Sequence, residues 1–187
     1  MRKILTLLFL TLCLTACQNN QNQPQNINYT INDTDFSKAT VIGTFSTKIT
    51  DKTPERFNNI ELGVSSLNGA IIKPGETFSF NDRIGRRTSE KGYEKAIIFD
   101  GHGNKEKGLG GGICQISSTL YNAALAANLE IIERHEHSRD VPYIEEGKDA
   151  TVSYGAEDLK IKNSLDRSVR ISAKVENNEL KIQIEKQ

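Results

Sequence analysis

The sequence has no tryptophan, one methionine, four prolines and only three cysteines in 187 residues. So few cysteines exclude a miniprotein held together by disulfides. Its 14 glycines follow no three-residue period, which excludes a collagen-like chain. No apolar run reaches the roughly 18–20 residues of a spanning helix, which excludes a polytopic membrane protein. An excess of either charge is also lacking, since 24 basic side chains face 24 acidic ones. Without a basic surplus there is no electrostatic ground for a nucleic-acid partner.

What is present begins at the N-terminus. Met1-Arg2-Lys3 is a short basic start, and Ile4 to Leu14 is an apolar stretch of signal length, too short to span. Leu14-Thr15-Ala16-Cys17 resembles the lipobox of a bacterial lipoprotein signal. That resemblance implies cleavage after residue 16, acylation of Cys17, and anchoring to the outer face of the cytoplasmic membrane. Acyl chains bury about 0.8 kcal/mol per CH₂, and two or more give a stable anchor. Residues 17–38 follow as an Asn/Gln-rich segment too polar to offset its ordering entropy, which reads as a tether. The expected organisation is therefore a signal over 1–16, a lipidated tether over 17–38 and one domain over 39–187.

Within that domain the pattern predicts an α+β fold of mostly antiparallel strands packed around one prominent helix. Ala39 to Ser46 alternates as a strand. Thr53-Pro54 opens a helix near 54–68, with Phe57, Ile60, Val64 and Leu67 on one face and Asn68-Gly69 stopping it. Short extended pieces are expected at 70–72 and 77–80, a loop over 81–92, a strand over 95–99 and a Gly-rich excursion over 100–112. Ile113 to Asn128 gives the strongest helical signal, with Ile116, Leu120, Ala123, Ala124 and Ala127 at helical spacing. Strands are expected at 129–137, 150–154, 159–162, 169–175 and 180–184, with Asn177-Asn178 as the last turn.

Cys13 leaves with the signal and Cys17 carries lipid, so Cys114 is the lone thiol of the domain. It follows Gly110-Gly111-Gly112 at the opening of the strongest helix. A helix N-terminus offers unpaired N–H groups and positive partial charge, which favour a thiolate and suit an oxyanion. Gln115, Ser117, Ser118 and the glycines Gly111 and Gly112 are the polar and backbone groups nearest that junction. The alternative is a buried cysteine acting as a small hydrophobe.

A nucleophilic thiol needs a base, and His135 and His137 stand two apart on an expected strand, facing one side. A third group to orient the imidazole is expected downstream, with Asp149 first and Asp158 second. Cys114 with the two histidines could instead ligate zinc. His102, in a Gly-Asn loop, reads as solvated. Arg83 and Arg87 are candidates for gripping a substrate carboxylate in bidentate fashion.

The block from Gly110 through Cys114 to Ala123 resembles the signature of the VanW domain family. Phe78-Ser79-Phe80-Asn81, Gly85, Arg87-Thr88 and Gly92-Tyr93 agree upstream. Arg134-His135-Glu136-His137-Ser138, Asp149-Ala150-Thr151-Val152, Gly155 and Asp158 agree downstream. The resemblance implies an exported protein acting on peptidoglycan stem peptides as an L,D-transpeptidase, with Cys114 as nucleophile and no cofactor. It places Arg87, Tyr93 and Asp158 among the substrate-binding candidates. Two other readings stand beside it: an accessory lipoprotein that binds peptidoglycan or glycopeptide without catalysis, and the Cys/His metal site.

Overall fold

The computed structural model describes residues 39–99 and 104–187. The expected signal segment, Cys17, the tether and His102 lie outside the described residues. The architecture is α+β, and its sheets are antiparallel throughout the described residues.

The main sheet has four strands in the order β1 (Thr40–Lys48), β9 (Glu179–Lys186), β8 (Val169–Glu176) and β2 (Ile71–Ile72). Strands β8 and β9 form the hairpin expected at the C-terminus. Asn177 and Asn178 adopt φ of 52° and 59°, a left-handed turn that asparagine tolerates better than most residues. Alternate residues Ile171, Ala173, Leu180, Ile182 and Ile184 point inward and are buried. Two helices cover that face: α1 (Pro54–Leu67) and α3 (Ile113–Ala126). Ile60, Leu67, Ile116 and Leu120 are fully buried between helices and sheet. Each such side chain contributes roughly 1.5–3 kcal/mol relative to an exposed position.

A second sheet, in the order β3 (Thr77–Ser79), β7 (Lys160–Lys162) and β6 (Glu130–Glu133), lies along the chain from the first. The third is a hairpin of β4 (Lys95–Phe99) and β5 (Lys105–Leu109).

Several expectations are corrected. The region read as a loop from 81 onward opens with α2 (Phe80–Ile84), whose N-terminus is capped by Ser79 Oγ accepting from the Asp82 amide at 3.0 Å. The Gly-rich excursion contains β5, which pairs residue for residue with β4 from Lys95↔Leu109 to Phe99↔Lys105. Strand 129–137 is shorter, ending at Glu133, with His135 retained only in an isolated bridge to Thr151. Residues 150–154 form isolated bridges rather than a strand. Side-chain bonds from α3 hold that segment in place of a neighbouring strand. Helix α3 ends two residues before Asn128, which turns the chain at φ 54°.

Close approach of α3 to β1 fixes one glycine. A Cβ on Gly43 would lie 2.4 Å from the Ala123 carbonyl oxygen and 2.6 Å from the Ala127 nitrogen, both backbone atoms that cannot swing aside. Gly43→Ala is therefore expected to cost about 1–3 kcal/mol, as overpacking does, measured as a lower denaturant midpoint with unchanged slope. Wild-type stability in that variant would contradict the packing.

Candidate active site

Cys114 occupies the first turn of α3, and three features hold it there. Gly112, the N-cap, has φ 111°, and Gly110 has φ 81°, conformations that side chains strongly disfavour. Between them Gly111 presses on β4, where a Cβ would sit 2.6 Å from the Ile97 carbonyl oxygen. Asn59, fully buried on α1, then clamps the junction: its Nδ2 donates to the carbonyls of Glu94 and Gly111, and its Oδ1 accepts from the Glu94 amide at 2.8 Å. Ile113 N–H bonds Gly110 O and Gln115 N–H bonds Gly112 O. The Cys114 amide makes no backbone hydrogen bond among the described residues. It is thus an available donor beside its own sulfur.

The opposite wall is brought in by α3 itself. Ser117 Oγ donates to the Ala150 carbonyl at 2.6 Å, Ser118 Oγ accepts from the Ala150 amide at 2.9 Å, and Asn122 Nδ2 donates to the Lys148 carbonyl at 2.6 Å. These bonds lay residues 148–152 along the helix and deliver Asp149 and Thr151 to the cysteine. The thiol is half-buried, 3.7 Å from both Thr151 Oγ1 and the Val152 carbonyl oxygen.

His137 completes the set. Its Nδ1 meets Asp149 Oδ2 at 2.5 Å, while its main-chain N–H donates to the same oxygen at 2.7 Å. Asp149 Oδ1 is held by Arg134 Nη2 at 3.0 Å, and Arg134 Nε donates to the Asp149 carbonyl at 2.7 Å. With both carboxylate oxygens engaged, the ring is held in one orientation in the lining of the cleft that also holds Cys114. Its side chain is 8% exposed.

Ionisation follows from these contacts. Burial pushes the Cys114 thiol up, but the hydrogen bond and positive charge of His137, with help from Val152 and Thr151, bring it below the ordinary thiol value. Burial likewise lowers His137, and its bonds to Cys114 and Asp149 raise it above the ordinary imidazole value. Asp149 is pushed up by burial and brought below the usual carboxylate value by the His137 amide and ring and by Arg134. All three shifts run toward the charged form: thiolate, imidazolium and carboxylate.

The sulfur opens into a cleft of about 740 Å³. The β4–β5 hairpin supplies apolar lining through Ile97, Phe99 and Leu109, and Arg56, Arg87 and Tyr143 also line the cleft. A nucleophile, a proton carrier and an unbonded amide around one cleft are the parts of acyl transfer through a thioester.

The family described as VanW like protein matches residues 55–185, which spans both helices and every group just named. The chain belongs to the VanW-like family. YoaR of Bacillus subtilis (strain 168) is 42% identical over 133 residues, which cover 71% of this chain and 44% of that protein. Vancomycin B-type resistance protein VanW of Enterococcus faecalis (strain ATCC 700802 / V583) is 36% identical over 118 residues, 60% of this chain and 42% of that one. This VanW-like chain thus spans under half the length of either relative. No solved structure matches it significantly.

Of the residues singled out in this VanW-like sequence, the structure brings together Cys114, His137 and Asp149. His135 stands apart: its Nε2 pairs with Glu133 at 3.0 Å, its side chain is 38% exposed, and it is not on the cleft wall. The two histidines do not share a face because the strand has ended before them. Asp158 holds Ser79 Oγ and the amides of Asn81 and Leu159, away from the imidazole. Tyr93 is buried in the core, and Ser117 and Ser118 spend their hydroxyls on the backbone. Gln115 lines the cleft but turns its amide inward to Thr47 and Lys48. Arg83 is exposed and donates weakly to the Asn68 carbonyl at 3.3 Å. Among the described residues no group of three metal-ligating side chains converges.

Sequence reading did not single out Asn59, Arg56, Arg134, Thr151 or Tyr143. Arg134 and Thr151 carried a signal only as members of the segments that bear the family resemblance. Alkylation of Cys114 by iodoacetamide should stay fast at pH values below the ordinary thiol range. His137→Gln removes the imidazolium and leaves burial unopposed, so the midpoint of the pH–rate profile should move upward. The rate at neutral pH should fall with it. An unmoved midpoint would show that the ring does not act on the sulfur.

Proposed function

We propose that the protein is a thiol acyltransferase of the L,D-transpeptidase type, acting on peptidoglycan stem peptides outside the cytoplasmic membrane and anchored there through Cys17. The observation that carries this reading is the Cys114–His137–Asp149 relay at the floor of an open cleft. The lipobox-like N-terminus and the vancomycin-resistance name of one relative support a substrate in the cell wall.

In this reading the Cys114 thiolate attacks the carbonyl carbon before the terminal D-residue of a stem tetrapeptide. The oxygen takes up the electron pair and meets the Cys114 amide N–H. As the C–N bond breaks, the His137 imidazolium gives its proton to the departing amine, leaving a thioester and a neutral imidazole. An amine from a neighbouring stem then attacks the thioester, His137 takes its proton, and a new amide forms as the thiolate leaves. Asp149 and Arg134 keep the ring in place through both proton transfers, in the manner of an orienting carboxylate.

Intact-protein mass spectrometry with a stem tetrapeptide and with a carbapenem tests this. A covalent adduct on Cys114, absent in Cys114→Ala and forming about 10²–10⁴-fold more slowly in His137→Gln, is the expected result. Absence of any adduct on a protein whose thiol still alkylates rapidly would overturn catalysis in favour of a binding role.

A further inference from the structure

Three buried polar side-chain atoms have no hydrogen-bond partner among the described residues: Arg56 Nε, Arg87 Nη2 and Tyr143 Oη. Buried polar groups are almost always paired, because an orphan loses its hydration without compensation. All three belong to residues that wall the Cys114 cleft. Their residues share the lining of one cleft instead of being scattered through the fold, which marks that lining as a set of donors for a ligand.

The two arginines are prepared for that ligand in the same way. Each is anchored through one terminal nitrogen: Arg56 Nη2 donates to Gln115 Oε1 at 2.8 Å, and Arg87 Nη1 donates to Asn81 Oδ1 at 2.8 Å. Asn81 is itself fixed, its amide donating to Asp158 and its Nδ2 to the Glu157 carbonyl. Neither guanidinium forms an ion pair with a carboxylate among the described residues. Both lie over the glycine run. Arg87 Cγ is 2.8 Å from where a Cβ on Gly110 would stand, and Arg56 Cγ is 3.3 Å from the same point on Gly112. Arg87 is near enough to feel the charge of Cys114. Two anchored cations with spare N–H groups, in the lining of the cleft that holds the sulfur, call for a planar anion with two oxygens.

We propose that Arg56 and Arg87 recognise the free C-terminal carboxylate of the departing residue, so that the site accepts the last amide of a peptide and rejects interior ones. This rests on the acyl-transfer reading and makes the protein exo-acting. Tyr143, whose phenol burial holds far above its usual range, serves as a neutral O–H donor to the same anion.

The test compares a stem tetrapeptide ending in free D-alanine with the same peptide as its C-terminal amide. Adduct formation on Cys114 is followed in the wild-type protein, and binding is followed by calorimetry on Cys114→Ala. The free acid should bind and acylate about 10- to 100-fold better than the amide. Arg87→Gln and Arg56→Gln should shrink that ratio toward one, chiefly through KM. Equal handling of acid and amide by the wild-type protein would overturn the carboxylate site. Preferential binding of the acid without any adduct would uphold the carboxylate site and sink acyl transfer, which keeps the two failures apart.

Discussion

The bonds between the first turns of α3 and residues 148–150 are the constraint on which the site depends. Cys114 and Asp149 are 35 positions apart, and nothing in a sheet ladder joins them. Hydroxyls of Ser117 and Ser118 and the amide of Asn122 replace that ladder, satisfying the backbone of Ala150 and Lys148 from the side of a helix. Such residues ordinarily weaken a helix by competing for its backbone. Here they bond carbonyls of their own helix and also reach a second chain segment, so the cost in helix propensity is offset by a positioned carboxylate. Loss of one hydroxyl would leave buried backbone groups of that segment unpaired, which costs more than the bond itself contributes.

From that constraint the ionisation follows. A half-buried thiol next to an apolar core would stay protonated, and a buried imidazole would stay neutral. The interaction of the two groups opposes that effect of burial, and Asp149, whose two oxygens bind different partners, holds the ring. Arg134 acts without lining the cleft: it fixes Asp149, which fixes the ring. Its guanidinium also lies 5.2 Å over the Tyr121 ring on α3, so the same side chain ties the helix to the carboxylate segment.

How much of this was legible in the sequence depended on whether the signal was local. Helical periodicity placed α1 and α3, and Asn177-Asn178 marked the last hairpin, because each depends on neighbouring residues alone. Helix α2 was hidden because five residues give no periodicity, although Ser79 three places before Asp82 was a cap signal in plain view. Strand β5 was hidden because Lys105-Glu106-Lys107 reads as charged loop, and only pairing with β4 makes it a strand. Cys114 stood out by its glycines and His137 by the rarity of histidine. The choice between His135 and His137, and between Asp149 and Asp158, turned on where a strand ended and on bonds across 32 residues or more, which no local pattern encodes.

The glycine run shows how packing and chemistry come to share the same residues. Read along the chain, three glycines before a cysteine suggest room for a substrate. In the fold, Gly111 is small because β4 backbone lies against it, and Gly110 and Gly112 are small because Arg87, Ile60 and Arg56 do. The space was taken by the protein's own side chains. Yet that occupation is what sets two cations beside the sulfur, since a side chain at either end would push an arginine off the run. The absence of three side chains thus does two things at once. It lets the helix begin with a cysteine in its first turn, and it lets two arginines pack over the glycines that precede that cysteine.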